Sequence, residues 1–383
     1  MENLLGLSSG FFKEPSVEKW KTACAAGFTE VELCPGSHLA VNIPAYLETA
    51  ETEYSMISRA GLRISSFHLP YGAAVDVSGP GAGIAEKAVS DNKIILDWAA
   101  GKGIGIAVLH ASFEPVKPED RPARLAQAIA SIEKLSGYAR ERNIRLAVED
   151  LPRTCLGNCA DEMLALTNQG KSAAICFDVN HLLSKESHRK FFEKTSAHII
   201  TVHFSDYDRI DERHWIPGDG CIDWRELIGL FTRAGYRGRY LFELNEDSSP
   251  GLGRPFSPRE LKERFFEISA DHSRKMFYVC GQDSVFEIDT EKSSGTDVRY
   301  AWTWNKKETS GDLPGDIRES NAPVNDCKSV GNGTRILVTD GYCTLLLEKK
   351  TKKALFYAYT PNSHSSALLP GNRIAVALST AKG

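Results

Sequence analysis

The 383-residue sequence has no excess of positive charge, and its formal net charge is -4 at pH 7. Proteins that bind nucleic acids usually gather Lys and Arg to neutralise phosphates, so this balance argues against such a partner. The sequence also lacks an apolar run of about 18 residues, the length that indicates a membrane-spanning helix. We therefore expect neither a nucleic acid nor a membrane as a partner.

The sequence has few features of an exported protein. Its nine cysteines are scattered, and no pair has the CxxC spacing of a structural zinc site; the nearest pair is Cys155 and Cys159. The opening residues, MENLLGLSSGFFKEPSVEKW, lack the basic region and long apolar core of a signal peptide. We expect reduced cysteines and a cytoplasmic location. Secretion or a periplasmic location is the alternative if a signal peptide has been removed.

Eight short apolar runs alternate with stretches at helical spacing over residues 4–272. The runs cover residues 4–8, 29–34, 62–68, 105–110, 144–149, 173–178, 199–204 and 239–244. Strands that alternate with helices pair in parallel, and eight such units match a closed barrel. An open sheet normally carries a Gly-rich phosphate turn after its first strand, whereas this chain has SSGFFKEP there. We predict a (β/α)8 TIM barrel over residues 1–272.

Residues 273–383 have the pattern of short antiparallel strands joined by turns. The pieces VCGQDSVFEID and VTDGYCTLLLEK resemble one hairpin repeated, and GNGTRILV resembles PGNRIAVA about 40 residues later. Such a period is typical of propeller blades. Only about two blades fit, whereas closed propellers use roughly four to eight. We predict a smaller all-β module, either a truncated β-propeller or strands that pack on the barrel or on another subunit.

Six of the predicted barrel strands end in a titratable side chain. These residues are His68, His110, Glu149, Asp178, His203 and Glu243. The active sites of such barrels lie at the carboxyl ends of the strands, so the six side chains share one rim. Carboxylates and imidazoles without a thiolate favour a hard or borderline divalent ion with positions left open for substrate oxygens.

Seven motifs carry a resemblance to a known family. They are SSFHLPYG, VLHAS, LAVEDLPRT, CFDVNH, ITVHFSD, HWIPGDGCIDW and YLFEL. Together they resemble the xylose-isomerase-like barrel superfamily, which includes sugar phosphate isomerases and epimerases, ketose 3-epimerases, inosose dehydratases and apurinic endonucleases of family 2. The resemblance covers residues 4–272 and leaves the reaction open.

The resemblance implies a metal site and a pair of proton-transferring residues. Glu149, Asp178, His203 and Glu243 would be the ligands of one divalent ion, Mn²⁺, Mg²⁺, Co²⁺ or Zn²⁺. Glu149 and Glu243 would also be catalytic. One would remove a proton next to a substrate carbonyl, and the other would return a proton to a neighbouring position or to the opposite face.

Five further residues are candidates for substrate binding. His181 corresponds to a histidine that in relatives contacts the substrate or a further metal. His68 and His110 are expected to line the pocket and bind sugar hydroxyls. Arg209 and His214 are placed to reach a substrate oxygen or phosphate.

The loop of residues 205–222 is expected to act as a lid. The Pro-Gly turn in HWIPGDG would fold the loop over the pocket, and Asp223 would cap the helix that follows. Asp206, Asp208 and Asp211 crowd this loop, and we expect at least two of these acids to be solvated.

The function expected from these observations is a metal-dependent sugar isomerase or epimerase that acts on a keto-sugar or sugar derivative. One alternative is an inosose dehydratase, because dehydration begins with the same proton abstraction. A second is an apurinic endonuclease, which uses three metals and an Asp-x-His pair; this chain reads Glu212-Arg213-His214 there. A third is a non-catalytic sugar-binding barrel. The expected partner is a sugar or polyol, and a homo-oligomer is one expected arrangement because relatives often pair their barrels.

Overall fold

The computed structural model describes most of the chain. The described residues are 5–36, 42–81, 83–183, 185–269, 276–280, 284–289, 300–305, 324–330, 335–340, 343–348, 352–359, 363–369 and 373–378. The chain divides into two compact units, Met1–Phe265 and Phe266–Gly383. The boundary predicted at residues 272 and 273 lies outside the described residues.

The first unit contains a closed barrel of eight parallel strands that pair in chain order. The strands are β1 (Leu5–Ser8), β2 (Glu30–Leu33), β3 (Arg63–His68), β4 (Ile106–His110), β5 (Arg145–Glu149), β6 (Ala174–Asp178), β7 (Ile199–Phe204) and β8 (Tyr240–Phe242). Pairing of β1 with both β2 and β8 closes the barrel. The predicted (β/α)8 barrel is confirmed, and each of the eight predicted runs contains one strand.

Among the described residues, eight α-helices follow the barrel strands. They are α1 (Val17–Ala25), α2 (Ile43–Arg59), α3 (Ile84–Gly101), α4 (Arg121–Arg140), α5 (Ala160–Leu166), α6 (His188–Thr195), α7 (Trp224–Arg233) and α8 (Pro258–Ser269). Polar side chains cap several of them, because the first amide groups of a helix have no acceptor within it. The predicted cap is confirmed: Asp223 accepts a hydrogen bond of 2.9 Å from the Glu226 amide at the start of α7.

The barrel buries side chains on both faces of its strands. Ile106, Val108, Ala147 and Cys176 form an apolar cluster. Aromatic rings pack together elsewhere in the core, as where Phe177 of β6 stacks on Phe191 of α6 at 4.6 Å between ring centroids. Burial on both faces is expected for parallel strands that are covered by helices.

The second unit contains nine antiparallel strands among its described residues. They are β9 (Met276–Cys280), β10 (Ser284–Asp289), β11 (Tyr300–Asn305), β12 (Val324–Val330), β13 (Arg335–Asp340), β14 (Cys343–Glu348), β15 (Lys353–Tyr359), β16 (Ser363–Leu369) and β17 (Arg373–Leu378). They form sheets of three, four and two strands. The repeated sequence pieces are hairpins, β9 with β10 and β13 with β14. The predicted β-rich character is correct, but the described strands do not show a propeller.

None of the helices in the described part of the chain is long and apolar enough to cross a membrane.

Candidate active site

The carboxyl ends of four neighbouring strands bring the predicted ligands together. His110 of β4 pairs in register with Glu149 of β5, and Asp178 of β6 pairs with His203 of β7. Glu243 directly follows β8, which pairs with β7. Because all the strands are parallel, these residues reach the same end of the barrel.

Three of the four predicted ligands surround one imidazole nitrogen of the fourth, His203. Nδ1 of His203 lies 2.8 Å from Glu149 Oε1, 3.0 Å from Glu243 Oε2 and 3.9 Å from Asp178 Oδ2. One ligand atom from each of the four residues lies within 4.8 Å of the others. The side chain of Glu243 is 22% exposed, whereas the other three are buried. We call these four residues the ligand cluster.

The electrostatics of the ligand cluster suit a cation. Burial raises the pKa of Asp178 well above its usual value; His181 opposes this effect, and Glu243 and Glu149 add to it by repulsion. Asp178 Oδ2 is buried and has no hydrogen-bond donor among the described residues. Three crowded carboxylates, one of them short of a donor, fit a divalent ion, which would offset both the burial and the repulsion.

Two histidines bind the second oxygen of Glu149. His68 Nε2 and His110 Nε2 each lie 3.0 Å from Glu149 Oε2. His68 Nδ1 also donates to the Leu69 carbonyl at 2.8 Å, so both of its ring nitrogens face acceptors. Burial lowers the pKa of His68, but Glu149 outweighs burial and raises it to about 9. His68 is therefore cationic in this arrangement.

A cleft opens beside the ligand cluster. Its lining residues include Tyr71, His110, Phe113, Glu149, Arg153, His181, Glu212, His214 and Glu243. His68 and His110 differ in their access to this cleft. The side chain of His110 is 17% exposed and lines the cleft, together with Glu149 and Glu243. The side chain of His68 is only 1% exposed and lies against Glu149. The predicted position of His110 at the pocket wall is observed, whereas His68 lies deeper.

His181 and His214 lie close together beside the ligand cluster. His181 Nδ1 donates to the Asp150 carbonyl at 2.7 Å, and its Nε2 lies 3.1 Å from Glu212 Oε2. His214 Nδ1 donates to the Glu243 carbonyl at 3.0 Å. One nitrogen or oxygen atom from each of His181, Glu212 and His214 lies within 4.8 Å of the others. This second group of possible metal ligands lines the same cleft.

Asp206 organises the loop that carries Glu212 and His214. Its Oδ1 accepts from the amides of Tyr207 at 2.9 Å and Ile222 at 3.1 Å. Its Oδ2 accepts from the Gly218 amide and from Nε1 of Trp224, both at 2.8 Å. This fully buried carboxylate ties together both ends of the loop.

The other two acids of this loop are also hydrogen-bonded. Asp208 accepts from the Ile210 amide and from Arg213 Nε, both at 2.9 Å. Asp211 pairs with Arg153 at 2.6 Å. The expectation that at least two of the three acids are merely solvated is wrong, because the tight loop offers its amides and two guanidinium groups as partners.

Arg209 and Arg153 lie in different environments. Arg209 is exposed and is not among the residues that line the cleft. Arg153 lines the cleft and holds together loops that follow β4 and β7, pairing with Glu114 at 2.6 Å and Glu212 at 2.9 Å. Sequence reasoning missed Arg153, although it lies in the LAVEDLPRT motif just behind Glu149.

The cleft also has an aromatic side. Tyr71 and Phe113 line it, and the Tyr71 ring stacks on the His110 ring with 4.5 Å between centroids. An apolar surface beside imidazole and carboxylate groups is typical of small-molecule sites.

Comparisons with solved structures agree with the observed fold. A D-tagatose 3-epimerase-like protein aligns with a TM-score of 0.55 and 20% identity over 70% of this chain and 98% of its own. The 3-keto-D-glucoside 4-epimerase from E. coli aligns with a TM-score of 0.53 and 17% identity over 69% and 99%. At these identities, the similarity demonstrates a shared fold.

Comparison of the amino-acid sequence also finds similar proteins. An uncharacterised protein of Sinorhizobium fredii is 25% identical over 250 residues, which are 58% of this chain and 78% of the relative. Inosose dehydratase of Lacticaseibacillus casei is 27% identical over 163 residues, 37% of this chain and 53% of the relative. The chain thus matches only about half of the length of that dehydratase. Residues 20–264 match the family described as xylose isomerase-like TIM barrel, and the chain belongs to this family.

Proposed function

We propose that the barrel isomerises or epimerises a keto-sugar or sugar derivative with the help of one divalent ion. The observation that carries this proposal is the arrangement of Glu149 and Glu243. Their carboxylates lie 2.8 and 3.0 Å from the same nitrogen of His203, at the base of a cleft that both residues line. Two carboxylates that lie this close together and line one cleft can serve opposite sides of a single substrate carbon.

Glu149, Asp178, His203 and Glu243 would hold the ion. Three oxygen ligands and one nitrogen suit Mn²⁺, Mg²⁺, Co²⁺ or Zn²⁺. A bound ion would polarise the substrate carbonyl and so acidify the neighbouring C–H bond. The donor that Asp178 Oδ2 lacks among the described residues supports this assignment.

Glu243 would remove the proton from the substrate carbon. Of the two glutamates it is the more accessible, with 22% of its side chain exposed against 1% for Glu149. Burial raises the pKa of Glu243, but His203 outweighs burial and leaves it below its usual range. The carboxylate is therefore ionised at neutral pH and can act as a base.

Glu149 would return a proton to the substrate, taking it from solvent through His110, and Glu243 would release to solvent the proton that it removed. Glu149 Oε2 is hydrogen-bonded to His110 Nε2 at 3.0 Å, and the His110 ring is partly exposed. An imidazole so placed can supply a proton to Glu149 or receive one from it. The nearby His181 and His214 would bind substrate hydroxyls, and the faces of Tyr71 and Phe113 would pack on the carbon skeleton.

The decisive experiment is solvent exchange in D₂O. The protein, prepared with Mn²⁺ or Co²⁺, is incubated with ketoses, keto-inositols and 3-keto-glycosides, and each product is analysed by NMR. We expect deuterium at one carbon next to the carbonyl of the accepted substrate, and loss of that exchange after treatment with EDTA. Absence of exchange across the panel would contradict the proposal and favour a sugar-binding barrel.

A dehydratase is a second candidate, favoured by the similarity to inosose dehydratase over 163 residues. Dehydration begins with the same proton abstraction and then expels a neighbouring hydroxyl as water. The keto-inositol arm of the panel separates the two reactions, because a dehydratase yields a product that has lost water.

An endonuclease is a third candidate, favoured by two of the additional groups of possible ligands among the described residues. His68 and His110 share Glu149 with the ligand cluster, and His181, Glu212 and His214 form the other group. Glu212 thus reaches His181 despite replacing the expected Asp. Arg153, 2.9 Å from Glu212, already compensates its charge, and the net charge of -4 disfavours DNA. Rapid cleavage of an abasic oligonucleotide would reverse this ranking.

A further inference from the structure

Two glutamates of β2 point into the barrel. Glu30 and Glu32 are two positions apart, so they share one face of the strand. Both are buried, with 2% and 1% of their surface exposed. A buried carboxylate is strongly unfavourable unless charged or hydrogen-bonding groups compensate it. The partners of each glutamate therefore indicate what it does.

Glu30 pairs with an arginine whose side chain is 68% exposed. Its Oε1 accepts from Nη2 of Arg63 at 2.7 Å and from Nε of Arg63 at 3.1 Å. A second guanidinium, that of Arg239, lies 3.9 Å from Oε2. Glu30 Oε2 has no hydrogen-bond donor among the described residues, but none of the contacts of Glu30 involves the ligand cluster.

Glu32 faces a residue of the ligand cluster. Its Oε1 lies 2.8 Å from Nε2 of His203, and its Oε2 accepts from the Ser66 hydroxyl at 2.7 Å. Among the described residues, His203 is the only Lys, Arg or His side chain within 4.0 Å of this carboxylate. The contact is close, although Nε2 is not aligned as a full hydrogen-bond donor.

The two ring nitrogens of His203 therefore face different groups. Nδ1 faces the carboxylates of the ligand cluster, at 2.8 Å from Glu149 and 3.0 Å from Glu243. Nε2 faces Glu32. An imidazole that binds a cation through Nδ1 keeps its proton on Nε2, and that proton needs an acceptor. The Glu32 carboxylate is within reach of it.

We propose that Glu32 is a positioning residue that fixes the orientation and tautomer of the metal ligand His203. This inference rests on the proposed metal centre and assigns it a partner deeper in the barrel. Ser66 would hold Glu32 in place by its hydrogen bond. Carboxylates that bind the free nitrogen of a ligating imidazole raise its basicity, and loss of such a partner typically weakens metal affinity about 10- to 100-fold.

The test is a titration of the metal-free full-length protein with CoCl₂, followed by calorimetry and by the visible absorption of Co²⁺. Glu32→Gln keeps the side-chain size and removes the charge. We expect a 10- to 100-fold loss of Co²⁺ affinity and a shifted absorption band. Ser66→Ala should give a smaller loss in the same direction. Glu30→Gln is the matched control, because it is equally buried on the same strand and does not touch His203; its affinity should equal that of the wild type.

The outcomes separate this inference from the proposed function. If Glu32→Gln binds Co²⁺ as tightly as the wild type, or if Glu30→Gln weakens binding equally, the positioning role is wrong and the metal centre stands. A wild-type protein that binds no Co²⁺ would overturn both. Thermal unfolding identifies a variant that fails to fold. If Glu32→Gln does not fold, Ser66→Ala decides, and unchanged affinity in that variant would refute the inference.

Discussion

The barrel domain contains two buried groups of charged side chains. In one group every carboxylate oxygen has a hydrogen-bond donor, and in the other it does not. Asp76 and Arg124 form the first group. Asp76 Oδ1 accepts from the Ser78 amide at 2.8 Å and from the Ser78 hydroxyl at 2.7 Å. Asp76 Oδ2 accepts from the Phe113 amide at 3.1 Å and also binds Arg124. Each oxygen of this carboxylate has donors, and its charge is balanced.

The ligand cluster is the opposite case. Three carboxylates surround one imidazole, and Asp178 Oδ2 has no hydrogen-bond donor among the described residues. A buried network that satisfies its own charges is costly to break, because removal of one partner leaves an unpaired charge. A group that leaves buried carboxylates crowded is instead suited to a bound cation. Variants in the two groups should therefore affect different properties of the protein.

Glu243→Gln should have the largest effect. We expect proton exchange in D₂O to fall by about 10²- to 10⁴-fold, because a positioned base typically contributes this much. The metal-free variant should unfold at a lower temperature, because His203 stabilises the ionised form of Glu243 in the fold and keeps its pKa below the usual range. Glu246→Gln is the control; Glu246 binds Lys19 at 3.0 Å and does not line the cleft. If Glu243→Gln keeps wild-type exchange, Glu243 is not the base.

Arg124→Met should affect stability instead of chemistry. Removal of one partner from a buried ion pair costs about 3 to 5 kcal/mol. We expect that loss in the free energy of unfolding, measured with urea, while the folded protein keeps its Co²⁺ affinity. The double variant Asp76→Asn with Arg124→Met should recover part of the loss, because the carboxylate no longer carries an unpaired charge. A double variant no more stable than Arg124→Met would argue that the charge itself matters little.

Asp206→Asn tests another buried carboxylate whose two oxygens both accept hydrogen bonds. Asp206, like Asp76, has a donor for each oxygen, and it lies in the loop that carries Glu212 and His214. An amide nitrogen would replace one acceptor oxygen and face hydrogen-bond donors, which costs about 1 to 3 kcal/mol. Protease cleavage between residues 207 and 221 should become faster. Asp208→Asn is the control on the same loop, and its side chain is 23% exposed. Equal cleavage rates for the two variants would contradict the organising role of Asp206.

Asp223→Ala should have the smallest effect. Loss of the N-cap of α7 should cost about 1 kcal/mol of stability, measured by urea unfolding. Exchange activity should be unchanged, because Asp223 does not line the cleft. A change in activity larger than the change in stability would show that the cap also controls the loop before it.

The barrel was predictable because each of its strands and helices is marked by a hydrophobic pattern within its own short stretch of sequence. Each parallel strand is buried on both faces and therefore reads as a continuous apolar run, and each helix shows its own period. The hairpins of the second unit were predictable for the same reason. Their assembly was not, because the repeat of β9–β10 in β13–β14 says nothing about which further strands join each sheet.

The site was predictable only where the chain itself orders it. Residues at strand ends share a rim in any parallel barrel, so position alone could group His68, His110, Glu149, Asp178, His203 and Glu243. The choice of Glu149, Asp178, His203 and Glu243 as ligands came from the family resemblance. Arg153 and Asp206 could not be assigned, because an arginine or an aspartate in a loop has many possible partners. Their roles follow from the particular amides and carboxylates that the folded loops bring within about 3 Å.

The sequence alone therefore determined the barrel, the rim and the types of side chain at the rim, since strand periodicity and parallel pairing require no knowledge of distant contacts. The tertiary structure decided which of these groups form hydrogen bonds or ion pairs with one another and which do not. Glu30 and Glu32 illustrate the difference. Two glutamates on one face of one strand look alike in sequence, yet one pairs with Arg63 and the other faces His203. Pairing of β2 with β3 places Arg63 beside Glu30, whereas only closure of the barrel brings His203 of β7 to Glu32.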